Sequence, residues 1–393
     1  MKKVLLIKYG EIALRGRNRG LFEKKLIHAI LNSVKDVGDN FYVHKEQGRL
    51  ILEDLSKDIE YDRVTHRVAN VFGIVGVCPC YVIEDQSIEN IEKMAVVYVK
   101  ENYKNLDFTY KVFTRRSDKR YPIESNDVSI RIGGFILDNI PTLSVNVHDP
   151  EEEIHVELRN KAYIFSKEIK GFGGLPKGST GNGTLLLSGG IDSPVAGFLM
   201  AKRGIELHCV YFHSPPYTSN RAKEKVIDLA KELSKYTGGI KLYIVPFTET
   251  QLFIYENTPP EKMTILLKRI MLRISEKIGK KNKSLCLVVG DSVGQVASQT
   301  LHSINAINSA SQLPIIRPLA GYDKQEIIDL ALKINTYPIS IRPFEDCCTI
   351  FVAKHPETKS KRSIIENIEA TMFQRGLEEH MTKAVDQCEI LEL

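Results

Sequence analysis

Apolar and polar positions fall into two regimes along these 393 residues. In the first half, short apolar runs mix irregularly with helical spacings. From residue 184 onward, strand-like runs and amphipathic helices take turns. At the start, residues 4–9 read as a strand and 21–34 as a helix with Phe22, Leu26, Ile30 and Leu31 on one side. Residues 41–44 and 49–52 read as strands, so 1–58 is predicted to be a small α+β unit. A second block, 59–168, carries a helical pattern over 63–71, a strand over 76–83, a helix over 88–102 and a strand over 108–115. Residues 125–140 are helical in their first part, and 144–147, 153–158 and 161–165 are strand-like. The stretch 169–183, dense in glycine and containing Pro176, reads as a linker or a substrate-side loop.

Over 184–393 the strands fall at 185–187, 207–212, 241–245, 285–289 and 315–317. Helices fall at 194–203, 221–236, 262–278 and 324–334, with a shorter one near 301–310. Such alternation requires right-handed crossovers and predicts a doubly wound parallel sheet. Ligands in such sheets sit at the carboxyl ends of the strands. The first of these ends reads Ser188-Gly189-Gly190-Ile191-Asp192-Ser193-Pro194. A strand that stops at Ser-Gly-Gly and restarts as a helix gathers unpaired backbone N–H groups at the positive end of a helix dipole, which makes an anion site. Asp192 adds a carboxylate of the kind that holds magnesium beside phosphates. The Gly-x-x-x-x-Gly-Lys-Ser/Thr string of Walker loops does not occur. Taken alone, the turn is also compatible with a ligand-free connection. Tyr211-Phe212-His213-Ser214, the run from Gly290 to Thr300, Arg317-Pro318-Leu319 and Asp323-Lys324 fall at the other strand ends, which together points to nucleotide contact.

Net charge is only +5, so overall charge does not select a polyanionic partner. Its distribution is more informative. Lys111, Arg115, Arg116, Lys119 and Arg120 cluster beside Tyr110, Phe113 and Tyr121, a mixture suited to RNA phosphates and unpaired bases. A solvated charged loop is the simpler alternative. Seven cysteines form no disulfide framework and suggest a reducing cytoplasm. No secretory signal is read at the start, and the apolar stretch 71–83 is too short for a membrane span and contains Pro79. Cys78 and Cys80 read as structural. Without a Cys-x-x-Cys spacing, neither a cluster nor zinc is assigned.

Ser-Gly-Gly-x-Asp-Ser resembles the pyrophosphatase loop of the ATP pyrophosphatase superfamily. Further strings extend the likeness: Phe212-His213-Ser214-Pro215-Pro216, Lys268-Arg269-Ile270-Met271-Leu272-Arg273, Gly290 to Thr300 and Arg317-Pro318-Leu319. Lys8-Tyr9-Gly10-Glu11-Ile12, Gly16-Arg17-Asn18-Arg19 and Gly173-Gly174-Leu175-Pro176 belong to the same set. With these, essentially the whole chain resembles the tRNA 4-thiouridine synthetases, or tRNA sulfurtransferases. The resemblance implies a ferredoxin-like N-terminal domain, a THUMP RNA-binding domain and a PP-loop catalytic domain of the adenine nucleotide alpha hydrolase-like class. It implies ATP contacts for Leu186, Leu187, Ser188, Gly189, Gly190, Asp192, Ser193, Tyr211, Phe212, Lys268, Gly290 and Gln299, with Mg2+ alongside. Asp192 and Lys324 match positions needed for activation, and Cys347 matches the catalytic-domain cysteine.

The implied reaction is ATP-dependent thiolation of the uridine at position eight of tRNA through an adenylated uridine. The tRNA would lie across the basic N-terminal blocks. A cysteine desulfurase would supply persulfide, and a sulfur-carrier protein for thiamine thiazole synthesis would be a second acceptor. Long family members add a rhodanese domain, which is not read here. The persulfide is therefore expected on Cys347, on Cys348 or on a separate carrier. A homodimer is compatible with this build. The rival readings are an amidating ligase that uses the same loop and a non-catalytic RNA-binding protein.

Overall fold

In the computed structural model, residues 2–46, 48–117, 119–344 and 357–393 are described. They form two compact units, Met1–Gly174 and Leu175–Leu393.

The first unit runs β1 (Lys2–Tyr9), α1 (Arg19–Val34), β2 (Phe41–Glu46), β3 (Arg49–Asp54), α2 (Tyr61–Ala69), β4 (Ile74–Ile83) and α3 (Ile88–Asn102). It continues through β5 (Thr109–Arg116), α4 (Ser125–Asn139), β6 (Ser144–Val145), β7 (Glu152–Leu158), β8 (Ala162–Phe165) and β9 (Ile169–Lys170). One sheet contains all of these strands, in the order β2-β3-β1-β4-β8-β7-β5-β6, with β9 paired to β4. The division expected at 58/59 therefore does not divide the sheet. Strand β4 pairs antiparallel along the length of β1, with Leu6 opposite Cys78 and Val4 opposite Cys80. Both cysteines are buried in a cluster with Val4, Leu6, Ile51 and Phe165. Burial pushes the Cys78 thiol up to about 12, as suits a packing residue rather than a reactive one.

Two local expectations need correction. Helix α4 does not stop part-way but continues through Gly133 and Gly134 to Asn139. Val128, Ile132 and Ile136 lie buried on one side of it, and the Tyr110 hydroxyl donates to the Gly133 carbonyl at 2.6 Å. Packing here outweighs the roughly 1 kcal/mol that a glycine costs inside a helix. The stretch 169–183 is not a free linker. It opens as β9, and the Gly171 N–H donates to the Val75 carbonyl at 3.0 Å.

The second unit runs β10 (Gly181–Leu186), α5 (Asp192–Lys202), β11 (Ile205–His213), α6 (Asn220–Thr237), β12 (Lys241–Pro246), α7 (Thr248–Glu256), α8 (Met263–Lys281) and β13 (Ser284–Val288). It ends with α9 (Leu301–Asn308), β14 (Ile315–Ile316), α10 (Lys324–Lys333), α11 (Tyr337–Ser340), α12 (Arg362–Gln374), α13 (Leu377–Asp386) and β15 (Glu389–Glu392). The strand order is β14-β13-β10-β11-β12-β15. The five strands from β14 to β12 are parallel, as expected, and β15 adds an antiparallel edge on β12.

From β10 the chain winds outward to β11 and β12, then returns to the other side of β10 for β13 and β14. That reversal opens a crevice above the carboxyl end of β10, the usual ligand position in such sheets. Helix α8 is covered on most sides, and its buried Arg269 and half-buried Arg273 both pair with Glu369 of α12. Arg269 also donates to the Ala306 carbonyl and, at 2.6 Å, to Ser309 Oγ. These bonds fix the register of α8 against α9 and α12. No helix among the described residues is long and apolar enough to cross a membrane.

Candidate nucleotide site and RNA face

Strand β10 ends at Leu186 and α5 begins at Asp192. The helix packs closely on the strand, because a Cβ on Gly197 would lie 2.5 Å from Leu185 Cδ2. No side-chain cap covers the start of α5. The intervening loop closes on its own hydroxyls instead. Ser193 Oγ accepts from the Ser188 N–H at 2.8 Å, and Ser188 Oγ accepts from the Gly190 N–H at 3.3 Å. An uncapped helix start beside a tight polar loop is suited to anions. Gly290, just after β13, touches the same turn: a Cβ there would lie 2.8 Å from the Ser193 nitrogen and 2.9 Å from the Asp192 carbonyl carbon.

Helix α10 begins in a capping box between Asp323 and Glu326, each side chain accepting from the other's backbone N–H at 2.9 Å. This makes Lys324 the first helical residue. Its ammonium lies 2.6 Å from Asp192 Oδ1, and Gln295 donates to the other carboxylate oxygen at 3.3 Å.

A cavity of about 280 Å³ opens at this point. Leu186, Leu187, Ser188, Asp192, Ser193 and Tyr211 line it, as do Phe212, Lys268, Gly290 and Gln299. Ten of the expected nucleotide residues thus meet in one place. Gly189 and Gly190 shape the loop without lining the cavity, and Lys324 reaches the wall through Asp192. Cys347 and Cys348 lie outside the described residues.

Two cavity residues, Asp291 and Arg317, were not anticipated as a pair. Asp291 is nearly covered and receives Lys268 Nζ at 3.0 Å, Gln299 Nε2 at 3.2 Å and Arg317 Nε at 3.1 Å. Burial by itself would raise this carboxyl. The neighbouring Lys268 and Arg317 charges outweigh burial and hold it below the usual carboxylate range. Among the described residues, no three His, Cys, Asp or Glu side chains gather as a metal cage. A single carboxylate such as Asp192, here paired with Lys324, still suits a magnesium ion carried mainly by nucleotide phosphates.

In the first unit, strand alternation splits the basic run. Lys111, Phe113 and Arg115 share one face of β5 and Arg116 the other. Arg116 is turned into its own loop, donating to the Tyr121 and Ile123 carbonyls at 3.1 and 2.7 Å and to Ser125 Oγ at 3.2 Å. It organises the loop rather than offering a charge outward. Arg115, Lys119 and Arg120 are exposed. Lys111 Nζ lies 4.5 Å from the Phe113 ring centre, and Phe113, His155 and Phe165 stack in series at 5.4 and 5.1 Å. Burial lowers the His155 imidazole below its ordinary value, against the pull of Glu153, which favours the neutral ring in this stack.

The probable tRNA sulfurtransferase of Lachnoclostridium phytofermentans is 48% identical over 391 residues, covering 100% of this chain and 99% of that one. That of Acetivibrio thermocellus is also 48% identical, over 396 residues, with 100% and 99% covered. The chain belongs to the tRNA sulfurtransferase family.

Within that family's terms, residues 4–78 match the ThiI ferredoxin-like domain, 85–167 the THUMP domain and 178–373 the thiamine biosynthesis protein (ThiI). The first match continues well past residue 58, in keeping with the pairing of β4 to β1. A solved 4-thiouridine synthetase in complex with RNA and bound ATP is 34% identical, with a TM-score of 0.90 and 100% of both chains covered. The expected ferredoxin-like, THUMP and PP-loop architecture is therefore that of this sulfurtransferase relative.

Proposed function

We propose that this chain thiolates a uridine of tRNA at the expense of ATP, giving 4-thiouridine, AMP and pyrophosphate. The observation that carries the proposal is the cavity at the β10 reversal. An apolar floor suited to a base meets the Ser188–Ser193 loop and the Asp192–Lys324 pair. A relative that covers the whole chain is a 4-thiouridine synthetase with bound ATP and RNA.

In this account Leu186, Leu187, Tyr211 and Phe212 enclose the adenosine, and the loop and the start of α5 hold the phosphates. The uridine O4 attacks the α-phosphorus and pyrophosphate leaves. Lys324 offsets the negative charge that builds up as it leaves. Asp192 keeps the Lys324 ammonium in place and is the carboxylate that would hold the magnesium accompanying ATP. That metal would supply further charge neutralisation at the phosphates. AMP is now a good leaving group on C4. A persulfide on Cys347 attacks C4 through its terminal sulfur and AMP departs. A second thiol, Cys348 or an external one, then takes the Cys347 sulfur into a disulfide and leaves the transferred sulfur on the base.

A cysteine desulfurase is the class of donor that makes such a persulfide. The same activation applied to the terminal carboxylate of a sulfur-carrier protein would serve thiamine synthesis, in line with the name of the matched family. The RNA side falls to the first unit, through Lys111, Arg115, Lys119 and Arg120 around Phe113. Phosphate contacts of this kind set orientation more than sequence.

The test combines the chain with ATP, tRNA, cysteine and a cysteine desulfurase, and follows AMP together with the near-ultraviolet absorbance of thiouridine. Both products should appear in equal amounts and only with all components present. AMP formed without thiouridine and dependent on ammonia would indicate an amidating ligase instead. Neither product would indicate a binding protein.

A further inference from the structure

Pro194 leaves one backbone acceptor of the Ser188–Ser193 turn without the partner a helix would give it. Ile191 already has helical dihedrals, φ −73° and ψ −35°, and α5 continues from Asp192. With residues 191 to 193 helical, the Gly190 carbonyl points along α5 to where the N–H of residue 194 would donate to it. Residue 194 is proline and has no N–H. The donor comes from elsewhere in the fold. Ser340, the last residue of α11, is buried, and its Oγ donates to the Gly190 carbonyl at 3.2 Å. Ser340 is itself held on both sides. Its N–H donates to the Thr336 carbonyl at 3.0 Å, and the Thr336 N–H donates to the Ala331 carbonyl of α10 at 2.9 Å. Beyond it, Arg342 pairs with Asp228 of α6 at 2.6 Å, and Lys225 Nζ donates to the Arg342 carbonyl at 2.9 Å. Helix α10 also carries Lys324, so α10 and α11 together hold the turn at both the Asp192 carboxylate and the Gly190 carbonyl.

We propose that Ser340 is a positioning residue for the phosphates of ATP and acts through the Gly190–Ile191 peptide. This rests on the nucleotide reading above. In a trans peptide the C=O and the N–H point in opposite directions. Holding the Gly190 oxygen toward α11 therefore turns the Ile191 N–H out of the start of α5. The N–H groups at a helix start have no partner within the helix. Those of Ile191, Asp192 and Ser193 then face the same way, as an anion requires. Ser340 is not part of the cavity wall. Its effect is to stop the peptide from rotating, which Pro194 prevents the helix from doing for itself.

Calorimetric titration of the full chain with ATP, inorganic pyrophosphate and adenosine tests this. Ser340→Ala should weaken ATP and pyrophosphate by about three- to tenfold, the range of one hydrogen bond, and leave adenosine within about twofold of wild type. Adding Pro194→Ala to that variant gives residue 194 an N–H that the Gly190 carbonyl can accept. The double variant should regain most of the lost pyrophosphate affinity, a recovery that a merely structural role for Ser340 does not produce. For a Ser340→Ala chain that does not fold, Ser340→Cys is read in the same way, since it keeps the volume and weakens the donor. Equal losses for ATP and adenosine, no loss for pyrophosphate, or no recovery in the double variant would each overturn the inference while leaving a nucleotide site in place. No binding of ATP or adenosine by the wild-type chain would remove the nucleotide reading itself.

Discussion

Replacing Gly290 with alanine should damage the nucleotide loop far more than one methyl group suggests. The added Cβ would lie 2.8 Å from the Ser193 nitrogen and 2.9 Å from both the Asp192 carbonyl carbon and Ser193 Cα. All three are backbone atoms of the first turn of α5, so no side chain can swing aside. Helix and strand end must separate from 2.8 Å toward the 3.4 Å at which ordinary contact begins. Overpacking of this kind costs about 1–3 kcal/mol. For a domain of this size that is a fall in Tm of about 2–4 °C per kcal/mol. The shift also moves the Ser188–Ser193 turn by a good part of an ångström relative to the β13 end. Misplacement on that scale lowers kcat/KM by about 10–100-fold. Gly321 is the matched control: a Cβ there meets nothing within 4 Å. Differential scanning fluorimetry and ATP-dependent AMP formation should separate the two, with Gly321→Ala close to wild type in both. Gly290→Ala with unchanged Tm and turnover would refute the close-packing argument.

Lys324→Met should lower AMP formation by about 10²–10³-fold while leaving tRNA binding and Tm near wild type, because the Asp192 pair is partly exposed; rapid quench and filter binding check the two halves. Glu369 is held below the ordinary carboxylate range: burial alone would raise it, and the Arg273 and Arg269 guanidiniums more than reverse this. Its stabilising effect is therefore complete above about pH 4.3, the ordinary value, and fades as pH falls through the lower folded value. Glu369→Gln should cost about 3–5 kcal/mol at neutral pH, and the Tm gap to wild type should close on acidification; a pH-independent gap would contradict the ion-pair account. Arg115→Ala and Lys119→Ala should each weaken tRNA binding and reduce the salt slope by about 1 per lost phosphate contact, whereas Arg116→Ala should lower Tm and leave the slope unchanged.

Helix α3 matches the expected bounds, Ile88–Asn102, because its apolar spacing is regular. Alternation located the five parallel strands and the loop at Ser188. The alternation ends with the helix over 324–334, matched by α10, so α12, α13 and β15 beyond it were not legible, although Ile365, Met372, Leu377 and Met381 complete the core around α8. The middle of α4 was obscured by Gly133 and Gly134, whose helical state depends on contacts with β5. The residues that line the cavity at the end of β10 were largely legible from their strings. The meeting of Asp291, Gln299 and Arg317 was not, since it joins the ends of β13 and β14 through tertiary structure alone. A signal for Arg116 did exist: period-two alternation along β5 already separates it from Arg115.

In the proposed reaction the uridine oxygen is activated by direct bonding to the α-phosphorus of ATP. Transfer RNA carrying 18O at O4 of the target uridine, turned over once with ATP and a persulfide donor, tests this by mass spectrometry of the AMP. One 18O per AMP phosphate, formed in step with thiouridine, is the predicted result. Thiouridine produced with unlabelled AMP, the 18O appearing in water instead, would contradict it.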